Sequence, residues 1–248
     1  MGRLLEICVD SLASARNAIA GGADRLELCG ALAVGGLTPY TELLRQIRGE
    51  SDIAVRCLMR PRPGDFLYTA EEIRLMAQQM QALAAAGADG FVIGCLTAAG
   101  EPDGQAMKPL LDAAGDKQLT LHRCIDVSRD PVQTYLEARA LGFDTVLTSG
   151  CARRCSEGME VIGRLLALQA EGGPQVLIGA GVNAGVITAF RGAFSNADAF
   201  HMSGSRSMPS GMVFRREGVP MGAPGFDEWS MSQTEKEAVQ AARAALDR

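Results

Sequence analysis

Four segments of this chain open with the same step, Gly or Asn, then any residue, then Asp, followed at once by a short run of strand formers. They read GADRLELCG, GADGFVIGC, GFDTVLTSG and NADAFHMSG, with the aspartates at 24, 89, 144 and 198. Alternating with them are four further strand-like runs, LLEICVD ahead of the first and then IAVRCLMRP, LTLHRCID and QVLIGAGV. A helical stretch follows almost every run. Ser11 and Thr69 are placed to cap two of these helices, and Gly21-Gly22 to end the first. Eight strands joined by helical crossovers are parallel strands. In 248 residues that pattern predicts one α/β domain, a TIM (β/α)₈ barrel spanning 1–248. It breaks only over 205–231, a Gly-, Pro- and Met-rich stretch expected to be an irregular insertion before the last helix.

The first two strands carry a doubled motif. Glu6 and Cys8 recur, at the same offset, as Glu27 and Cys29. A spacing of two puts each pair on one face of a strand, while Leu5, Ile7, Leu26 and Leu28 face the other way. Continuing the alternation gives a polar inner phase of Glu6, Cys8, Glu27, Cys29, Arg60, His122, Cys124, Asp126, Ser149, His201 and Ser203. Arg123 falls on the outer phase, although a strand's end can redirect it. A barrel lumen usually holds Val, Ile and Leu. Ionisable groups there cost stability unless paired, so their presence predicts a polar pocket at the carboxyl ends of the strands. The glycines of GAGV and SGS, with Gly179, Gly181, Ser203 and Gly204, offer backbone N–H groups where barrels commonly hold an anion, and Arg206 lies beside them.

Charge narrows the partners. With 24 basic and 29 acidic residues, net −5, and no basic stripe, nucleic acid and anionic membranes are not expected ligands. No apolar run is long enough to cross a bilayer, and the opening residues lack the apolar core of a signal peptide. Seven irregularly spaced cysteines suit reduced thiols in a cytoplasm better than a disulfide framework. Cys151 and Cys155 could share a helical face, but two thiols do not complete a zinc site.

Several motifs together resemble the CutC family of copper homeostasis proteins: LLEICVDSLASA, GGADRLELC, GGLTP, MRPRPGDFLY, the HR-x-x-D of HRCID, VLTSG and SGMVFRREGVPMG. The resemblance runs nearly the whole chain in order. It implies a TIM barrel, a cytoplasmic homodimer or homotetramer, and Cu(I) held through Cys8 and Cys29. Cys124 stands where the family's motif usually has alanine, so it is not expected to be a ligand.

Three functions remain open on the residues alone. One is Cu(I) binding by Cys8 and Cys29, since soft thiolates suit that ion. The second is an enzyme acting on a small anionic metabolite, sugar- or phosphate-bearing. Glu6 and Glu27 would then be general acid and base and His122 a proton shuttle, with Arg60, Arg123 and the glycine loops clamping the anion. The third is a divalent-metal isomerase or hydrolase using Glu27, His122, Asp126 and His201. The candidate catalytic set is therefore Glu6, Glu27, Arg60, His122, Arg123, Asp126 and His201.

Overall fold

Eight strands close into a parallel barrel in chain order: β1 (Leu4–Val9), β2 (Arg25–Leu28), β3 (Ala54–Leu58), β4 (Gly90–Ile93), β5 (Gln118–Leu121), β6 (Thr145–Thr148), β7 (Gln175–Ile178) and β8 (Ala199–Met202), with β8 pairing back onto β1. The helices α1 (Leu12–Ala20), α2 (Thr41–Arg48), α3 (Ala70–Ala85), α4 (Gly104–Ala114), α5 (Pro131–Ala140), α6 (Met159–Ala170) and α7 (Ala184–Ala193) alternate with them, and α8 (Lys236–Asp247) ends the chain. This is a computed structural model, and it describes residues 2–219, 221–222 and 227–248. The barrel is the predicted TIM fold.

Outward side chains of the strands, among them Leu5, Ile7, Leu26, Leu28, Phe91 and Phe200, are buried in one continuous apolar layer beneath the helices. The lumen is different. It holds two small apolar groups, Cys8, Cys29, Leu58 and Val92 in one and Leu147, Leu177 and Ala199 in the other. Charged side chains fill the rest. Ser11 and Thr69 cap α1 and α3 as expected, Thr69 in a full capping box with Glu72.

The repeated aspartates lock the strand starts. Asp24 accepts the backbone N–H of Leu5, Asp89 that of Val55, and Asp144 that of Leu119, at 2.6–2.7 Å. Each of these carboxylates also meets an arginine: Arg243, Arg48 and Arg56 respectively. The fourth repeat departs, because Gln169 takes the N–H of Val176 at 2.6 Å and the Asp198 carboxylate pairs with Arg191 instead. These contacts sit at the amino ends of the strands, the stability face of such a barrel. Asp144→Ala would leave the Leu119 N–H unpaired and Arg56 short of its anion, and should cost about 2–3 kcal/mol. Asp198→Ala removes one half-buried pair and leaves no strand N–H unpaired, and should cost about 1 kcal/mol or less. Urea unfolding of the two variants checks this order; equal losses would refute it.

Two expectations need correction. Strand five stops at Leu121, and Arg123–Val127 is a turn of 3₁₀ helix. His122 starts that turn, its Nδ1 accepting the Cys124 N–H at 3.1 Å, so Asp126 does not stand on a strand. The segment 205–231 is not wholly irregular. It begins as β9 (Ser205–Pro209), and β10 (Ser230–Thr234) returns to pair with it antiparallel, Ser205 opposite Thr234. Bonds from the Asn17 amide to the Thr234 carbonyl and from the Thr234 N–H to Ser14 Oγ moor the ribbon to α1. Residues 220 and 223–226 of that stretch lie outside the described residues. Arg206 pairs with Glu235 at 2.7 Å on this ribbon rather than with a glycine loop.

Candidate functional site

A cavity of about 520 Å³ opens at the carboxyl ends of the strands. Cys8, Glu27 and His201 line one side of it, and Arg60, His122 and Arg123 line the other.

Strand register builds the first side. The stagger that closes a barrel offsets neighbouring strands, so Glu6 lies opposite Arg25 and Cys8 opposite Glu27. On the other flank Glu6 lies opposite His201. Glu6 is fully buried. It accepts from Arg25 Nε at 2.5 Å and stands 2.8 Å from His201 Nδ1. Burial pushes its pKa up, but Arg25 and His201 outweigh burial and hold it at about 2. Burial lowers His201, yet Cys8, Glu27 and Glu6 around it drive its pKa well above the ordinary histidine value. Burial, reinforced by the Glu6 charge, raises Glu27 despite His201. The floor thus holds one anion, Glu6, between Arg25 and His201, with Glu27 biased toward the neutral acid.

Glu6 occupies Nδ1 of His201 and leaves Nε2 facing Glu27, 3.7 Å from Oε2. Ligand atoms of Cys8, Glu27 and His201 all lie within 4.8 Å of one another. A carboxylate that fixes a histidine's tautomer behind a donor cluster is the usual outer support of a metal ligand. Cys29 stands one step back. Its thiol is 3.4 Å from Glu27 Oε2, and burial, with Glu27 next to it, raises its pKa well above 9.

The opposite side is cationic. Arg60 donates from Nη1 to the carbonyls of Val34 and Gly36 and from Nη2 to that of Gly64. Its guanidinium also stacks on Phe66. His122 packs against the same ring, centroids 4.6 Å apart. Burial and then the Arg60 charge lower His122 to about 3, so its imidazole is neutral. Arg123 donates to Asp126 and Ser149. Asp126 also accepts from Thr148 Oγ1 and from the N–H groups of Ser149 and Cys151. With its oxygens so fully engaged, Asp126 shapes the loop after β6 and has little capacity left for a substrate proton.

Among the glycine-loop residues, Gly181 and Ser203 line the cavity. A Cβ at Gly179 would come 2.7 Å from Leu147, so that glycine serves packing, and Gly204 takes a positive φ of 55° at the turn into β9.

The profile of the CutC family matches residues 3–204 of this sequence. The chain belongs to the CutC family. A CutC family protein of Chromobacterium violaceum is 42% identical over the full length of both chains. The human copper homeostasis protein cutC homolog is 39% identical, over 94% of this chain and 85% of that protein. The solved structure of a copper homeostasis CutC protein from Streptococcus agalactiae superposes with a TM-score of 0.76 at 27% identity, covering 81% of this chain and 98% of that one.

Two lumen residues of this CutC chain escape the sequence reading. Arg25 shares the phase of Glu27 and Cys29, and Arg56 that of Arg60, so strand alternation carried the signal for both. Arg56 is fully buried below the site, donating to Thr145, Gln118 and Asp144.

The low His122 pKa has a measurable consequence. The folded state refuses a proton that the unfolded chain accepts near pH 6.5, so stability is present above that pH and lost as pH falls toward 3. The loss from pH 6.5 to 5 should be about 2 kcal/mol. Urea unfolding across that range, compared with His122→Phe, isolates the effect. Parallel pH profiles of the two proteins would show that His122 is not buried neutral.

Proposed function

We propose that this chain handles copper as cargo, binding one Cu(I) on the cavity floor through Cys8, His201 and Glu27. The convergence of those three donors within 4.8 Å, beside an open cavity, is the observation that carries this reading. A thiol and an imidazole are ligands that copper accepts readily, and the Glu6 contact aims the imidazole. Cys29 is the second thiol, acting through its hydrogen bond to Glu27. The naming of relatives as copper homeostasis proteins supports copper over other ions. All seven cysteines are free, which suits a reducing compartment such as the cytoplasm. No helix among the described residues is long and apolar enough to cross a membrane.

The charge states give the test. The ion must displace protons from the raised Glu27 and His201 before they can ligate, so affinity should climb with pH. Competition titration with a Cu(I) chelator is expected to give one ion per chain. The apparent affinity should rise about tenfold or more from pH 6 to pH 7. A pH-independent affinity, or less than one ion per chain, would count against the site.

A further inference from the structure

The cationic side of the cavity has features that copper does not use. Arg60 is nine-tenths buried, and among the described residues no carboxylate lies within salt-bridge distance of it. Its three hydrogen bonds go to neutral carbonyls, and its Nε has no partner. His122 is buried too. Because its Nδ1 accepts the Cys124 N–H, the ring proton resides on Nε2, and that atom also has no partner. Buried donors are rarely left unpaired, since each carries a desolvation cost of about 1–3 kcal/mol. Here two of them, one a full cation, belong to side chains joined through the Phe66 ring. Both side chains line the same cavity, with the two unpartnered nitrogens just beneath its surface, where a small side-chain shift brings them to a ligand oxygen.

The geometry points to a binding site for a small organic oxyanion, a carboxylate or phosphate ester, with its charged oxygens on Arg60 and His122 and its body in the cavity. A charged donor next to a neutral N–H donor is the pairing an oxyanion takes, since a cation would be repelled and a neutral ligand would leave the Arg60 charge unmet. Arg123 lines the same cavity but is paired with Asp126, so the unpaired positive charge is that of Arg60. Leu58, Phe66 and Leu147 make part of the lining apolar. A cavity of about 520 Å³ lies within the range that encloses small-metabolite ligands. Arg60 and His122 are distinct from the copper donors Cys8, Glu27 and His201, and all five line one cavity.

The test uses metal-free full-length protein, with sodium glycolate and glycerol 3-phosphate as probes and glycerol and sodium chloride at matched ionic strength as controls. At least one oxyanion should raise the melting temperature, which glycerol and chloride leave unchanged. The same probe should shift the ¹⁵N resonance of His122 Nε2. Response to glycolate alone marks a carboxylate ligand, and response to glycerol 3-phosphate alone marks a phosphate ester. Arg60→Gln should weaken that binding about tenfold or more. His122→Phe, which keeps a ring against Phe66, should weaken it as well and guards against misfolding of the arginine variant. Failure of both oxyanions to move either signal, or undiminished binding in His122→Phe, would overturn the proposal.

Discussion

Glu6→Ala is expected to remove about 3–5 kcal/mol of stability, the cost of stranding a buried charge. Glu6 is fully buried and is the anion that Arg25 and His201 share. Arg25 already has one unpartnered guanidinium nitrogen, and the other carboxyl that feels its charge, Glu27, is biased toward neutrality by burial. Removing both charges as Glu6→Leu/Arg25→Met should cost clearly less than the single change, because the Arg25 charge, which cannot be shed, is no longer stranded, and His201 can release its proton. The wild-type protein should also lose stability in acid through this group. Its folded pKa near 2 lies below the ordinary 4.5, so the stabilisation is intact above pH 4.5 and fades as pH falls toward 2. Urea unfolding at neutral pH measures all three proteins. A loss below about 1 kcal/mol for Glu6→Ala would show that the floor is not the buried ion network described here.

Cys8→Ser and His201→Ala should each lower Cu(I) affinity about a hundredfold or more, since even outer-shell changes at metal sites cost about 10–100-fold. Glu6→Gln should fall in that outer-shell range, because the amide still fills the space but no longer holds His201 Nδ1–H as strongly. Cys29→Ser should keep near-wild-type affinity, as its contact is to Glu27 and not to the donor cluster. Chelator competition on the four variants gives the ranking. A reversed order, with Cys29→Ser crippled and His201→Ala intact, would restore the two-thiol site that the doubled Glu-x-Cys motif suggests.

That motif shows where sequence reading reaches its limit. Alternation alone places Glu6, Cys8, Glu27 and Cys29 in the lumen, and they are there. It is silent about which rung of β1 meets which rung of β2. Equal offsets invite pairing glutamate with glutamate and cysteine with cysteine, whereas the barrel's shear sets Cys8 against Glu27 and Glu6 against Arg25. His201, last in sequence order among the strands, becomes the neighbour of the first because the barrel closes. The aspartate repeat is legible for a different reason. In three of the four copies the carboxylate takes an N–H of the preceding strand, within one strand-helix-strand unit, so local sequence carries it. Asp126 misleads because a carboxylate in a strand phase and one capping a loop are indistinguishable until the 3₁₀ turn after His122 is known. Arg25 is overlooked at a strand start, where arginine ordinarily reaches solvent, and Arg56 in mid-strand, because its burial depends on Thr145 and Asp144, far away in sequence.

The proposed copper shell is one thiol and one imidazole, Cys8 and His201, with the Glu27 carboxylate alongside. X-ray absorption at the copper edge of the Cu(I)-loaded protein counts those donors directly. The account predicts one sulfur neighbour with nitrogen or oxygen completing the shell, and a loss of imidazole scattering in His201→Ala. A shell of two sulfurs, unchanged by that substitution, would contradict it.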